Sequence, residues 1–236
     1  MPEYASEQKN ETAGINIFVY CCNDAVNNAD IDGHKKKKKK AIIYTVEEFM
    51  DESKAVGKNL EKYFKKKIKV YFRTIDNSND FNNLREKWNN TGKCDIAIIN
   101  CHASKDYEND GFYRMNGLNR FDVLDLKPKK VKVLILLACF AGNLSNNDGD
   151  TTFINVASSF ANIISVGGVV VASNGIVKVV KHKLKVTRHF YAQGRAIGWS
   201  IYERYENYIV WHPTSLRIIT IKKILNYIKD KGYGTF

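Results

Sequence analysis

Nothing in the 236 residues approaches the roughly 18-residue apolar run that a membrane-spanning helix needs. The opening MPEYASEQKNE lacks the basic, apolar and small-residue succession of a secretory leader. These residues therefore read as a soluble domain with no membrane span, and a larger exported parent is left open. Cysteine is sparse and unpatterned: the five positions, 21, 22, 94, 101 and 139, include no CxxC spacing. Cys21 and Cys22 cannot readily bridge each other, and others fall in or against expected core strands. A disulfide framework or zinc site is not expected. No glycine-rich loop with a following Lys-Ser/Thr ends a strand, and Asp148 and Asp150 on one polar loop are a poor metal set, so neither cofactor nor metal is indicated. His182, His189 and His212 receive no role. No internal repeat is present.

Acidic residues are also in short supply, 25 against 37 Lys and Arg, for a net charge of +12. Lys35–Lys40 alone supplies six of the positive charges. Such a run reads as a solvated linker, and without an accompanying recognition motif it indicates no specific nucleic acid. With 44% hydrophobic and 12% aromatic residues, the chain suits one α/β domain with a short appendage.

Two stretches carry the chemistry. In CDIAIINCHAS the continuous apolar run Ile96–Ile99 has the pattern of a strand buried on both faces, and it ends at His102 before small residues. In VKVLILLACFAGN the run Val131–Leu137 ends at Ala138-Cys139, again before small residues. Ligands of open parallel sheets bind beyond the carboxyl ends of the strands. If the two strands are neighbours, a thiol and an imidazole meet there, the minimal nucleophile and base for acyl transfer. The turns add backbone N–H groups able to hold an oxyanion.

At these residues the chain resembles the caspase-like cysteine peptidases, which place a base at the end of one strand in a His-Gly pattern and a nucleophile at the end of the next in an Ala-Cys pattern. The resemblance implies an α/β/α sandwich with a mostly parallel central sheet. It implies His102 as base, Cys139 as nucleophile, and the backbone of Ala103 and Cys139 as oxyanion donors. Ala103 stands where the family usually has Gly. It further implies that the segment after the fifth core strand, SNGIVKVVKHKLK, builds part of the substrate pocket, with Ser173 and Asn174 as contacts. Lys178, Lys181 and Lys183 lie there and no acid does, so an acidic or neutral residue is expected before the cut bond. Asp148, Asp150 or the 105–110 loop would reverse this by folding across.

In chain order, Ala41–Thr45 reads as the first core strand, residues 46–66 as a helix, and Ile68–Phe72 as a strand. Phe81, Leu84 and Trp88 mark a short helix before the His102 strand. Residues 103–130 are expected to hold a small β excursion and a helix at Phe121–Leu126. Asn143–Thr152 is expected to be a surface loop, Phe153–Ile164 a helix, and Val166–Ser173 the fifth strand. FYAQGRAIGWSIYERYE resembles the helix-Gly-helix segment of clostripain-like members, and a last helix is expected over Ser215–Lys229.

The first 34 residues carry a second signal. Phe18, Tyr20, Asn23, Val26, Asn27, Asp30 and Gly33 resemble the pattern that closes the core of Rhs (YD-repeat) proteins, with Ala25 and Ile31 in place of two prolines. The domain division is then 1–34 junction, 35–40 linker and 41–236 peptidase. In that family a toxin domain follows the motif. This implies an effector delivered into a target cell, acting on a protein or peptide, with a cognate immunity protein in the producer. Two alternatives stand beside it: a self-processing protease of a larger protein, and an inactive basic binding domain on the same fold.

Overall fold

A computed structural model describes residues 38–76, 82–105, 113–143, 155–180, 183–187, 198–214, 216 and 218–234. The Rhs-like residues 18–33 and the loop acids Asp148 and Asp150 lie outside them. The chain divides after Lys38, and Lys39–Phe236 is the unit described below.

Strand β1 (Lys39–Val46) begins two residues before the expected Ala41. Lys39 and Lys40 thus belong to the sheet and not to a linker. The ladder explains it: Lys39 pairs with Ile68 and Lys40 with Lys69. Their ammonium groups sit 5.4 Å from the rings of Phe64 and Tyr71, so the stems cover apolar surface while the charges stay at its edge. A 3-10 turn (Glu47–Phe49) leads into α1 (Met50–Tyr63), which buries Val56 and Leu60. Next come β2 (Ile68–Ile75), α2 (Asn82–Asn90) burying Leu84 and Trp88, and β3 (Cys94–Asn100). The expected excursion is the pair β4 (Ala103–Lys105) and β5 (Tyr113–Met115), with a 3-10 turn at Asp122–Asp125 in place of a full helix. Then follow β6 (Val131–Leu137), α2's counterpart α3 (Val156–Ile163) and β7 (Val169–Ser173). Asn155 and Ser158 exchange side-chain and backbone bonds to start α3.

After β7 the structure departs from the sequence expectation. Ile176–Val180 (β8) and Lys183–Thr187 (β9) form a hairpin. Trp199–Arg204 is strand β10, where the resemblance implied helix, and it pairs antiparallel with both β7 and β11 (Ile209–Pro213). Burial decides this. Trp199 and Ile201 enter the core on one face of the sheet, and Tyr202 enters the other, a two-faced pattern that an amphipathic helix does not satisfy. The last helix, α4 (Ile221–Asp230), starts later than expected because Ile218–Ile219 pairs with β9 as β12, and Thr220 then caps the helix.

The main sheet has seven strands in the order β2-β1-β3-β6-β7-β10-β11, of which β2 to β7 run parallel. One face packs on α2 and α3 through Leu84, Trp88 and Phe160, the other on α1 and α4 through Leu60, Leu225 and Ile228. The protein is thus an α/β domain with a mostly parallel sheet between helices. Both chemistry-bearing strands lie in its middle.

Candidate active site

Strands β3 and β6 are direct neighbours in parallel register, ending with Asn100 opposite Leu137. His102 and Cys139 each follow two residues beyond these ends. Both side chains line one cavity of about 330 Å³, together with Phe49, Glu52, Asn100, Cys101, Leu137, Val177 and Lys178. A second cavity of about 400 Å³ is lined by Lys40, Arg73, Glu86, Lys87 and the 90–92 turn, with no thiol or imidazole.

The three described cysteines sort by exposure. Cys94 and Cys101 are buried, and burial pushes their thiols up, Cys94 to about 12. Cys139 is the partly exposed one. Burial raises its thiol too, opposed by hydrogen bonds to the sulfur from the backbone of Val177 and of Cys139 itself. The chain turns sharply after it. Phe140 adopts φ +57°, a left-handed conformation that bulky side chains rarely take, and its N–H donates to Gly175 O at 2.9 Å. Gly142 follows where a Cβ would lie 3.1 Å from Ala172 Cβ and 3.2 Å from Ser173 O.

His102 is half-exposed, and its Nε2 is held by Glu48 Oε1. The carboxylate only accepts, so Nε2 carries a proton, and in the neutral ring Nδ1 holds the lone pair. Phe49 packs on the ring at 4.7 Å between centroids. A buried polar chain fixes that wall: Asn100 Nδ2 donates to Ser53 Oγ (3.0 Å), and Ser53 Oγ donates to Thr45 Oγ1 (2.8 Å). It ties the ends of β1 and β3 to the first turn of α1. Glu48, Glu52 and Phe49 therefore reach the site from a segment about fifty residues before His102, which no local motif reveals.

Ala103 lies in extended β4 and is absent from the left-handed residues, so its Cβ is accommodated. Asn116 N–H donates to His102 O at 3.0 Å, which makes Ala103–Met115 a non-hydrogen-bonded pair and leaves the Ala103 N–H outside the β4–β5 ladder. Ser173 and Asn174 do not line the cavity. Ser173 is fully buried, and its Oγ lies 3.0 Å from the carbonyls of Ala138 and Gly175. Asn174 Oδ1 accepts from Gly198 N–H at 2.6 Å. Both pin strand ends together, and the wall assigned to them is made by Val177 and Lys178.

No His/Cys/Asp/Glu grouping suited to a metal occurs among the described residues, and no helix among them is long and apolar enough to cross a membrane. No protein-family model matches the chain, and no curated protein matches it. Among solved structures, an S-adenosylmethionine-dependent methyltransferase from Clostridium acetobutylicum is 11% identical, covering 94% of this chain and 86% of its own. Its TM-score of 0.18 carries no inference about fold or activity.

Proposed function

We propose that this chain is a caspase-like cysteine endopeptidase working with Cys139 and His102. The observation that carries the reading is the meeting of the partly exposed thiol and the Glu48-held imidazole at adjacent strand ends in one cavity. The expected arrangement, base on one strand and nucleophile on the next of a mostly parallel sheet between helices, agrees with the order β3-β6.

In the reaction, His102 Nδ1 takes the thiol proton as Cys139 Sγ bonds to the scissile carbonyl carbon. Backbone N–H groups at Ala103 and Cys139 receive the negative oxygen. Collapse breaks the C–N bond, and His102 returns the proton to the leaving amine. Water then loses a proton to His102, attacks the thioester and releases the acid and the thiol. Because burial raises the thiol, proton removal accompanies attack, with no resting thiolate required. Glu48 is a positioning residue that fixes the imidazole's tautomer. In the Rhs-type reading, the peptidase is the delivered effector, its partners a target-cell protein and a cognate immunity protein.

The test is cleavage of a mixed fluorogenic peptide library by the full chain. Cys139→Ala and His102→Ala should each abolish cleavage with little change in thermal midpoint, because both side chains lie at the rim. Glu48→Gln should lower kcat by about tenfold or more while KM stays near wild type. A Cys139→Ala protein that still cleaves would refute the assignment. The raised thiol gives the inactive-domain reading its one support. That reading is separated by alkylation of Cys139, whose rate should fall in His102→Ala only if the imidazole serves the thiol.

A further inference from the structure

We propose that the cavity of about 400 Å³ at the end of α2 binds a small phosphorylated ligand, a sugar phosphate or a nucleotide, through Arg73, Lys40 and Lys87. The site is separate from Cys139. Lys40 is the second residue of β1 and Gly92 precedes β3, so the cavity lies towards the amino ends of these strands. Cys139 lies beyond the carboxyl end of β6. Arg73 is on the edge strand β2, and Lys87 and Glu86 are on α2. Charged residues on an edge strand discourage pairing with other chains, which accounts for Arg73 alone. Lys40 and Lys87 come from an inner strand and a helix, yet they line the same space.

Among the described residues, none of these three cations forms an ion pair with Glu86 or with any other carboxylate. The Asp95 carboxylate accepts from the backbone N–H of Lys40 at 2.9 Å. A fourth positive group stands behind the wall. Lys129 Nζ donates to Thr91 Oγ1 at 2.6 Å, and Thr91 lines the cavity. Burial, and after it the charge of Lys40, push the Lys129 amine down, so the positive field extends to it. The Trp88 carbonyl near the end of α2 is taken by Lys129 Nζ and the Thr91 N–H, which weakens its opposition to an anion. The Gly92 N–H has no acceptor among the described residues, and a Cβ there would meet nothing within 4 Å. Three cations against one carboxylate leave two positive charges, which a phosphate monoester dianion balances. Arg73 presents a fork suited to two phosphate oxygens, and the lysines supply point charges. Glu86 accepts and does not donate, so it repels a bare phosphate ion. A sugar hydroxyl beside the phosphate gives it a proton to accept. The cavity also exceeds what a phosphate ion fills, and it has room for the attached sugar.

The experiment titrates the full chain in a calorimeter, at low ionic strength, with ribose phosphate (the primary ester), adenosine monophosphate, inorganic phosphate and ribose. Ribose phosphate should bind at least about tenfold tighter than inorganic phosphate, and ribose should give no measurable binding. Arg73→Gln and Lys87→Gln should each weaken ribose phosphate by about tenfold or more, as loss of a charge-assisted hydrogen bond implies. Glu86→Gln should strengthen inorganic phosphate and remove the advantage of the sugar. Arg73 and Glu86 are exposed and Lys87 is half-buried, so thermal midpoints should stay near wild type in all three variants. Adenosine monophosphate binding tighter than ribose phosphate identifies a nucleotide site, and equal or weaker binding a sugar phosphate site; either supports the proposal. No binding of either ester, or binding that survives both cation variants, overturns it. Inorganic phosphate binding as tightly as ribose phosphate overturns the ligand class and leaves a simple anion site. Cys139→Ala should bind as wild type does, so these outcomes stand apart from the peptidase reading.

Discussion

Lys129 enters the core just ahead of β6, 8% exposed, with its ammonium 4.1 Å from the Trp88 ring centroid. Its Nζ donates to Tyr44 Oη (3.0 Å), Thr91 Oγ1 (2.6 Å) and the Trp88 carbonyl. Burial outweighs these bonds and pushes the amine down from 10.5 to about 8. Between those values the unfolded chain holds a proton that the folded chain has lost, so raising the pH favours folding. Wild type should therefore gain stability relative to Lys129→Met from about pH 8 to 10.5, by at most about 3 kcal/mol. Tyr44 and Cys94, whose raised values weaken the fold at high pH, are present in both proteins, and loss of the Lys129 charge that lowers Cys94 adds to that weakening in the variant. Chemical denaturation across that range checks it; a difference that is flat or falls with pH would show a lysine that stays charged inside. None of this was legible in Lys129 itself, since its cage is assembled from two other segments, β1 and the end of α2. His102 and Cys139 were legible because each ends an apolar run that states its own burial. Glu48 was not, because only the packing of the turn after β1 against β3 brings it to the imidazole.

The elements divide along the same line. Strands β1, β3, β6 and β7 are apolar on both faces, and their sequences announce buried parallel strands. β10 is the instructive miss: AIGWSIYERYE has acceptable helix formers, but tertiary burial of Trp199, Ile201 and Tyr202 overrides them. Ser173, a substrate contact by the resemblance, bonds through its hydroxyl to the carbonyls of Ala138 and Gly175 around Cys139. Gly198 tests the strand assignment. A Cβ there would sit 2.5 Å from Thr214 O and 2.9 Å from Leu216 O, both backbone atoms that cannot rotate away. Gly198→Ala should cost about 2 kcal/mol and lower the thermal midpoint by about 4–8 °C. Were residues 190–204 a helix, the same change would stabilise by up to about 1 kcal/mol and raise the midpoint. The sign of the shift decides between them.

For the whole molecule, the proposed effector role implies harm to a target cell, and two causes of such harm compete. The peptidase reading places toxicity in Cys139. The net charge of +12 offers another route, since a strongly basic chain binds nucleic acid or anionic membranes without specificity. The fold shows how to separate them cleanly. Lys39 and Lys40 are ladder residues of β1 and must stay, so only Lys35–Lys38 are changed to Gln. Residues 34–236, expressed in a susceptible cell without a neighbouring immunity gene, should arrest growth. Cys139→Ala should relieve the arrest, and the four Gln substitutions should leave it intact. The charge mechanism forecasts the reverse on both counts, so one growth assay with both variants discriminates. Arrest that persists in Cys139→Ala and disappears in the Gln variant would remove the peptidase from the toxic role. No arrest from any version would move the activity to self-processing, for which cleavage of the parent chain near Gly33 is the product to seek.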